Sequence, residues 1–404
     1  MATKQQQHPH HQGSTRQQQR QYHDEASSHV LSWLRSSSLL RVRAPPLLWR
    51  CFSPTTLRLE NASVSRWLKR AVAMAAVGAV CMYFFLWGRE HGGRGYDEGY
   101  SSGGPSSTID PELESNWPPP GTPPRVAVCF FGLTRSLRWT LPSVQDRLLD
   151  VLRRGGMSVD TFVHTYALEE VFNQRAGEKG IEYSSYVTDF TALNPVRSLV
   201  TNQDDFDEAW PEPLSLTHYR WRYGRDAPGV IRNVFRAYWS MAMVWGLMAQ
   251  HASEGRFQYD AVVLARPDVW FHVETDLPRH TLPLPRRTVF LPSFETDLKP
   301  GGRKNDRFAY GSFTAMRVIM NRIATLIEPD AGMYSGSIDS EWVLGHHLKT
   351  NNITVKIMDF PVTRVRLTRD IPKYDHGRVR AACWSGVDPM ACEMLRLGFR
   401  FPTD

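Results

Sequence analysis

Cysteine is scarce, with five in 404 residues, and none stands at the spacing of a zinc-ligand motif, which excludes a structural zinc module. Large apolar residues are almost missing from positions 1 to 30, a Gln-, His- and Ser-rich stretch that cannot bury enough surface to offset chain entropy. It reads as a disordered tail. Acids are nearly missing from the next stretch, where Arg35, Arg41, Arg43, Arg50, Arg58, Arg66, Lys69 and Arg70 face only Glu60. One run then lacks charge and a polar face altogether. Residues 71–87 carry Val72, Met74, Val77, Val80, Met82, Phe84, Phe85 and Leu86, with Tyr83 and Trp87 near one end.

A bilayer needs roughly 17 to 25 such residues as a helix, so residues 71–87 are expected to span a membrane. The run begins too far into the chain for a cleaved signal peptide. Basic residues precede it, whereas Arg89 and Arg94 afterwards are opposed by Glu90, Asp97, Glu98, Asp110, Glu112 and Glu114. Because basic flanks stay on the cytoplasmic side, the N-terminus is expected in the cytosol and the remainder in the lumen of the endoplasmic reticulum or Golgi. Residues 88–124 are rich in Gly, Ser and Pro and suit a spacer holding a domain off the membrane.

Much of the net charge of +7 arises before the span. The basic cluster is thus a topology signal, and a nucleic-acid partner loses its main support. Cys129, Cys383 and Cys392 fall on the expected luminal side, where Cys383 and Cys392 could pair locally and Cys129, within an apolar run, reads as a buried thiol. Asn352-Ile353-Thr354 is a glycosylation sequon there, and Asn61-Ala62-Ser63 lies on the expected cytosolic side.

From residue 125 the pattern becomes globular. Arg125–Phe131 and Val159–Thr165 read as buried strands around a helix from Pro142 to Arg154, which implies a parallel pair with a crossover. Residues 170–228 read as irregular. Ile231–Gln250 repeats apolar residues every three or four positions and leads into Ala261–Ala265, apolar on both faces; Thr288–Leu291 and Ile353–Met358 read as strands, Phe313–Ile327 and Ile338–Leu348 as helices. The expectation is one mostly parallel α/β domain over residues 125–375, with 376–404 a tail that could pack on it.

Charged groups that follow buried strands arrive where ligands of open α/β sheets bind. Arg266 and Asp268 follow the 261–265 strand directly, so they must find an anion, a cation or each other. Asp268 is either a ligand for Mn²⁺ or Mg²⁺ or the partner of Arg266 in a buried pair. Gly132-Leu133-Thr134-Arg135-Ser136 follows the first strand and suits phosphate oxygens through amides, the Thr134 hydroxyl and the Arg135 guanidinium, unless it is an ordinary turn. Asn305, Asp306 and Arg307 precede an apolar turn ending at Gly311. There Asp306 is either a general base with Asn305 and Arg307 contacting an acceptor, or part of a turn after Gly301-Gly302. Glu341 stands in the first turn of a helix, either for function or because acids suit that dipole. His346 and His347 follow it.

Taken in order, Phe130-Phe131-Gly132-Leu133-Thr134-Arg135, Asp160 to Thr165, Tyr259 through Arg266-Pro267-Asp268, Asn305 to Gly311 and Ser340-Glu341 resemble a group of glycosyltransferases with a GT-A-like fold, over residues 125 to 370. The resemblance implies a nucleotide-sugar donor near Gly132, Thr134, Arg135, Arg266 and Asp268. It also implies a carbohydrate or glycoprotein acceptor near Asn305 and Arg307, with Asp306 activating the acceptor hydroxyl and Glu341 behind it. Better-known members of the fold carry an Asp-X-Asp motif at Asp268, and Arg266 stands here in place of the first aspartate. A divalent cation on Asp268 and a guanidinium substitute for it both remain open. The Gly132–Ser136 and Arg266-Pro267 pairing also loosely fits luminal sulfotransferases, and a non-catalytic glycan-binding relative is the third reading.

Overall fold

The computed structural model describes residues 121–400, apart from 174–176, 210–219, 222–226, 328–336, 373–374, 387 and 397. The expected cytosolic tail and span, and the spacer up to residue 120, lie outside the described residues. Among those described, no helix is long and apolar enough to cross a membrane.

In chain order the elements are β1 (Arg125–Phe131), α1 (Leu137–Val144), a π-helical turn (Gln145–Leu149), α2 (Asp150–Arg154), β2 (Ser158–Ala167), the hairpin β3 (Glu170–Asn173) and β4 (Glu178–Glu182), a 3₁₀ segment (Ser184–Leu193), β5 (Arg197–Asn202) and α3 (Gln203–Ala209). There follow β6 (Arg220–Trp221), α4 (Ala227–Gly255), β7 (Ala261–Ala265), β8 (Val269–Phe271), β9 (Thr288–Pro292), β10 (Phe308–Gly311), α5 (Phe313–Met320) and α6 (Ala324–Ile327). The last are β11 (Ser337–Ile338), α7 (Ser340–Thr350), β12 (Thr354–Met358), β13 (Val362–Arg364), α8 (His376–Trp384) and α9 (Pro389–Arg396).

Seven strands form one sheet in the order β12-β9-β10-β7-β1-β2-β5. The fold is α/β with a mostly parallel sheet. Its one reversed strand is β10, antiparallel to β7 on one side and β9 on the other. The core strands are apolar because both faces are covered: Val126 to Phe130 and Ala261 to Ala265 are all buried. Val128, Phe130, Val263 and Ala265 share a cluster with Leu137, Val144, Leu148 and Leu152 from the α1–α2 segment.

Several expectations need correcting. The helix expected from Pro142 begins at Leu137 and contains the proline, because the residue marks a gap in the helix's hydrogen-bond ladder and not its start. Residues 170–228, expected to be irregular, supply β3, β4, β5 and α3. β5 is a sheet edge with only partial burial, so its apolar signal is weak. Phe308–Gly311, read as a turn, is β10, and the helix expected over 313–327 is divided by a turn at 321–323.

The C-terminal segment packs onto the domain. Trp270, Val365, Ile371, Val379, Met394 and Phe399 form a second cluster, and Cys383 and Cys392 are disulfide-bonded between α8 and α9. Between the two cysteines lies buried Asp388, which accepts hydrogen bonds from Trp270 Nε1 at 3.1 Å and from His272 Nδ1 at 2.9 Å. Cys129 is a buried free thiol.

Candidate active site

Topology decides where the charged residues meet. From β1 the chain goes to β2 on one side, whereas β7 pairs with β1 on the other. A crevice forms outside the carboxyl ends of strands where the order reverses in this way. Gly132–Ser136 leaves β1 at that point and Arg266–Asp268 leaves β7 beside it. Since β10 runs against β7, with Phe308 opposite Ala265, the residues just before β10 reach the same edge. Reversal of one strand thus brings Asn305, Asp306 and Arg307 to groups that follow parallel strands.

One end of this sheet edge is an arginine-saturated carboxylate. Asp268 is buried, and Arg266 is bidentate on it, with Nε at 2.8 Å from Oδ1 and an Nη at 2.7 Å from Oδ2. Arg135 reaches the same Oδ2 at 3.0 Å and, on its other side, Glu178 of β4 at 2.7 Å. Burial alone would raise the Asp268 pKa. Arg266, by charge and hydrogen bonds, and then Arg135 and Arg366 outweigh it and hold the carboxyl well below the usual range. Gly132, at φ +91°, makes the turn out of β1, a conformation most side chains avoid. Its N–H donates to Ser240 Oγ at 2.8 Å. Thr134 faces inward: its N–H donates to the Tyr183 hydroxyl and its own hydroxyl to the Tyr186 carbonyl, both at 2.9 Å.

A divalent cation fits this end poorly. Such an ion wants free carboxylate oxygens, yet both oxygens of Asp268 already accept from guanidiniums. Among the described residues no group of three or more His, Cys, Asp or Glu side chains is placed to hold a metal.

The other end is a pair of unlike carboxylates. Asp339 caps α7 by accepting from the N–H groups of Glu341 and Trp342. α7 packs so closely on the loop before β10 that a side chain at Gly345 would overlap the Gly302 carbonyl. That approach sets Glu341 beside Arg303, 2.5 Å between Oε2 and the guanidinium, and puts the Lys304 N–H 2.9 Å from the Glu341 carbonyl. Ser340 donates its hydroxyl to Asp306 Oδ2 at 2.7 Å, and no hydrogen bond to Asp306 Oδ1 is present among the described residues.

The two carboxylates titrate apart. Burial would raise Asp306, but Arg307 and Arg322, the Ser340 hydrogen bond and Arg266 hold it below its ordinary value. Glu341 is pushed up to about 7, by burial first and then by the Asp306 charge, against the hydrogen bond from Arg303. Near neutral pH one carboxylate is ionised and the other is partly protonated, an arrangement that separates a base from a proton donor. The two ends are close enough to act on each other, since Arg266 lowers Asp306 and Asp306 raises Arg266.

The site residues read from sequence therefore divide. Arg135, Arg266 and Asp268 are joined, and Asp306 and Glu341 are neighbours. Asn305 and Arg307 are buried supports: Asn305 donates to the Phe294 carbonyl and accepts from the Arg307 N–H, while Arg307 pairs with Glu295. His347 is tied to the Val318 carbonyl at 3.1 Å, and burial pushes it down to about 4.

Sequence reasoning missed Glu178, Arg303, Arg364 and Arg366. Glu178 lies in a hairpin taken for a loop. The alternation Arg364-Val365-Arg366-Leu367 is a readable signal, because residues two apart on an extended chain share a face. β13 pairs antiparallel with β8 and puts Arg364 opposite Val269, next to Asp268. No family model and no curated protein matches the chain.

Proposed function

We propose that the protein is a glycosyltransferase that moves a sugar from a nucleotide-sugar donor to a hydroxyl of a glycan or glycoprotein acceptor. A mostly parallel sheet with its charged groups at the carboxyl edge agrees with the GT-A-like fold expected for such an enzyme. The observation that carries the reading is the pairing of unlike groups at one sheet edge. Guanidiniums of Arg135 and Arg266 stand at one end, and carboxylates whose pKa values are driven apart stand at the other.

Transfer needs charge stabilisation for a departing diphosphate and a base for the incoming hydroxyl. Asp306, ionised and with one oxygen outside the Ser340 hydrogen bond, accepts the acceptor's proton as its oxygen bonds to the anomeric carbon. The bond from that carbon to the donor phosphate breaks, and its electron pair leaves with the diphosphate toward the guanidiniums. Glu341, raised in part by the Asp306 charge, stands partly protonated beside it. No step is assigned to a metal, since the oxygens of Asp268 are occupied. The Cys383–Cys392 bond suits the oxidising lumen of the endoplasmic reticulum or Golgi, to which residues 71–87 would anchor the domain as a single-pass membrane protein.

The test is a donor screen on the full-length chain with chelator present. Nucleoside diphosphates are expected to raise its melting temperature, and one nucleotide sugar to support transfer to a glycan array. A shift with adenosine 3′,5′-bisphosphate alone would replace this reading with sulfonate transfer. Glycan binding without transfer from any donor would leave a binding protein.

A further inference from the structure

Three guanidiniums converge where the β1 and β7 loops meet, and only two have carboxylate partners. Arg135 lies between Glu178 and Asp268, and Arg266 is bidentate on Asp268. Arg366 is the third. It is partly exposed, and among the described residues its side chain makes no hydrogen bond or ion pair. Of these three, Arg366 makes no direct carboxylate contact among the described residues, and it feels the Asp268 and Glu178 charges only at a distance.

Arg366 is nevertheless fixed in place through its backbone. The Val365 N–H donates to the Asp268 carbonyl at 2.8 Å, and the Val365 carbonyl accepts from Ser136 Oγ at 2.6 Å. The Arg366 N–H donates to the Asp370 carbonyl at 2.9 Å, and the Leu367 N–H to Glu178 Oε1 at 2.9 Å. These bonds tie residue 366 to the β1 loop, the β7 loop and the β4 hairpin at once. Partial burial, with repulsion from Arg135 and Arg364, pushes the Arg366 pKa down to about 9. The fold thus holds a cation that Arg135 and Arg364 oppose and that Asp268 and Glu178 offset only in part, an arrangement that an anion would relieve.

We infer that Arg366 is the anion anchor of this sheet edge, taking phosphate oxygens of a nucleoside diphosphate and supplying the positive charge that a divalent cation would otherwise bring. A guanidinium presents a planar fork that matches two phosphate oxygens, and Arg135 and Arg266, locked on Asp268, form a rigid wall beside it. Identifying the anion as the donor's diphosphate rests on the glycosyl-transfer reading; the anion site itself rests on the arginine geometry.

Titration calorimetry of the full-length chain with inorganic pyrophosphate, in the presence of chelator, tests the inference. The unaltered chain is expected to bind, and Arg366→Gln to bind roughly ten- to a hundredfold more weakly, the loss expected for a charged hydrogen-bonded contact. Arg153→Gln, which removes an exposed surface pair with Asp150, should bind like the unaltered chain. Without pyrophosphate, Arg366→Gln should melt at or above the unaltered temperature, because repulsion has been removed. Should it fail to fold, Arg366→Lys keeps the charge, loses the fork, and is expected to bind severalfold more weakly. Equal affinity in the altered and unaltered chains, or binding by the unaltered chain only after Mn²⁺ is added, overturns the inference. Arg366-dependent pyrophosphate binding without sugar transfer from any donor would sink the transferase reading and leave the anchor standing. Undiminished sugar transfer by Arg366→Gln would do the reverse.

Discussion

The two ends of the sheet's carboxyl edge hold acidic groups in opposite ways. Asp268 is enclosed by guanidiniums that take both of its oxygens, so its charge is fully committed to the fold. Asp306 and Glu341 face one another as like charges, each with a partial partner, Ser340 for one and Arg303 for the other. A carboxylate with both oxygens engaged by guanidiniums can hold an architecture together but has little left for a substrate. Two carboxylates in partial conflict are poised to exchange a proton. The comparison separates a structural acid from a chemical one, although both are largely buried at one sheet edge.

The largest expected effect is at the second end. Asp306→Asn keeps an acceptor for Ser340 and removes the base, so transfer is expected to fall roughly a hundred- to ten-thousandfold. Its stability cost should be smaller, about 1–2 kcal/mol, since Arg307 and Arg322 lose a nearby counter-charge while Glu341 loses a like one. Rates and melts on the same preparation check this. Activity within a few-fold of the unaltered chain would remove Asp306 from the chemistry.

Asp268→Asn should give the reverse pattern. Arg266 and Arg135 would lose the anion between them, and breaking such a buried network typically costs about 3–5 kcal/mol. Urea unfolding should show the loss, and chelator should not reproduce it. Near-native stability together with a chelator-sensitive rate would instead make Asp268 a metal ligand.

Next in size is the C-terminal bond. Reduction, or Cys383→Ser with Cys392→Ser, frees a loop of nine-residue separation, for which chain entropy predicts about 2–3 kcal/mol. Asp388, within that loop, receives Trp270 and His272 and so steadies the segment that follows Asp268. Loss of the bond should weaken the Asp268 end before the Asp306 end. Hydrogen exchange at Val269–Phe271 against Ser340–Thr350 would show the order, and equal acceleration in both would break the distinction.

These contrasts bear on what could be read in the chain. The buried strands β1 and β7 were plain because their uninterrupted apolar residues leave no other economical placement, and with them came Arg135, Arg266 and Asp268. The roles were harder, since one carboxylate's meaning depends on which guanidiniums surround it, and Glu178 and Arg366 come from a polar hairpin and a short edge ladder. Reversal of β10 was equally hidden. Phe308-Ala309-Tyr310-Gly311 reads the same whichever way it runs, yet its direction decides that Asp306 meets Arg266.

The smallest effect is the most diagnostic. Glu341 has an ordinary value of 4.5 and stands near 7 in the folded chain, so between those values the folded protein binds more protons than the unfolded one. Its contribution to stability is fully present below the ordinary carboxylate range and is lost as pH rises through about 7. Asp268, held low, behaves oppositely: its contribution persists at neutral pH and is lost progressively as pH falls through the ordinary carboxylate range and below it. Asp306→Asn removes the second-largest cause of the upward shift, so Glu341 should drop toward 4.5 and the downward slope of stability between about pH 5 and pH 7 should flatten. Glu341→Gln should flatten it as well. Asp268→Asn should leave it in place while lowering the whole curve, because Asp268 does not titrate in that window. Identical slopes in all three variants and the unaltered chain would mean that Asp306 and Glu341 are as settled as Asp268, and that neither end of the sheet edge is poised for proton transfer.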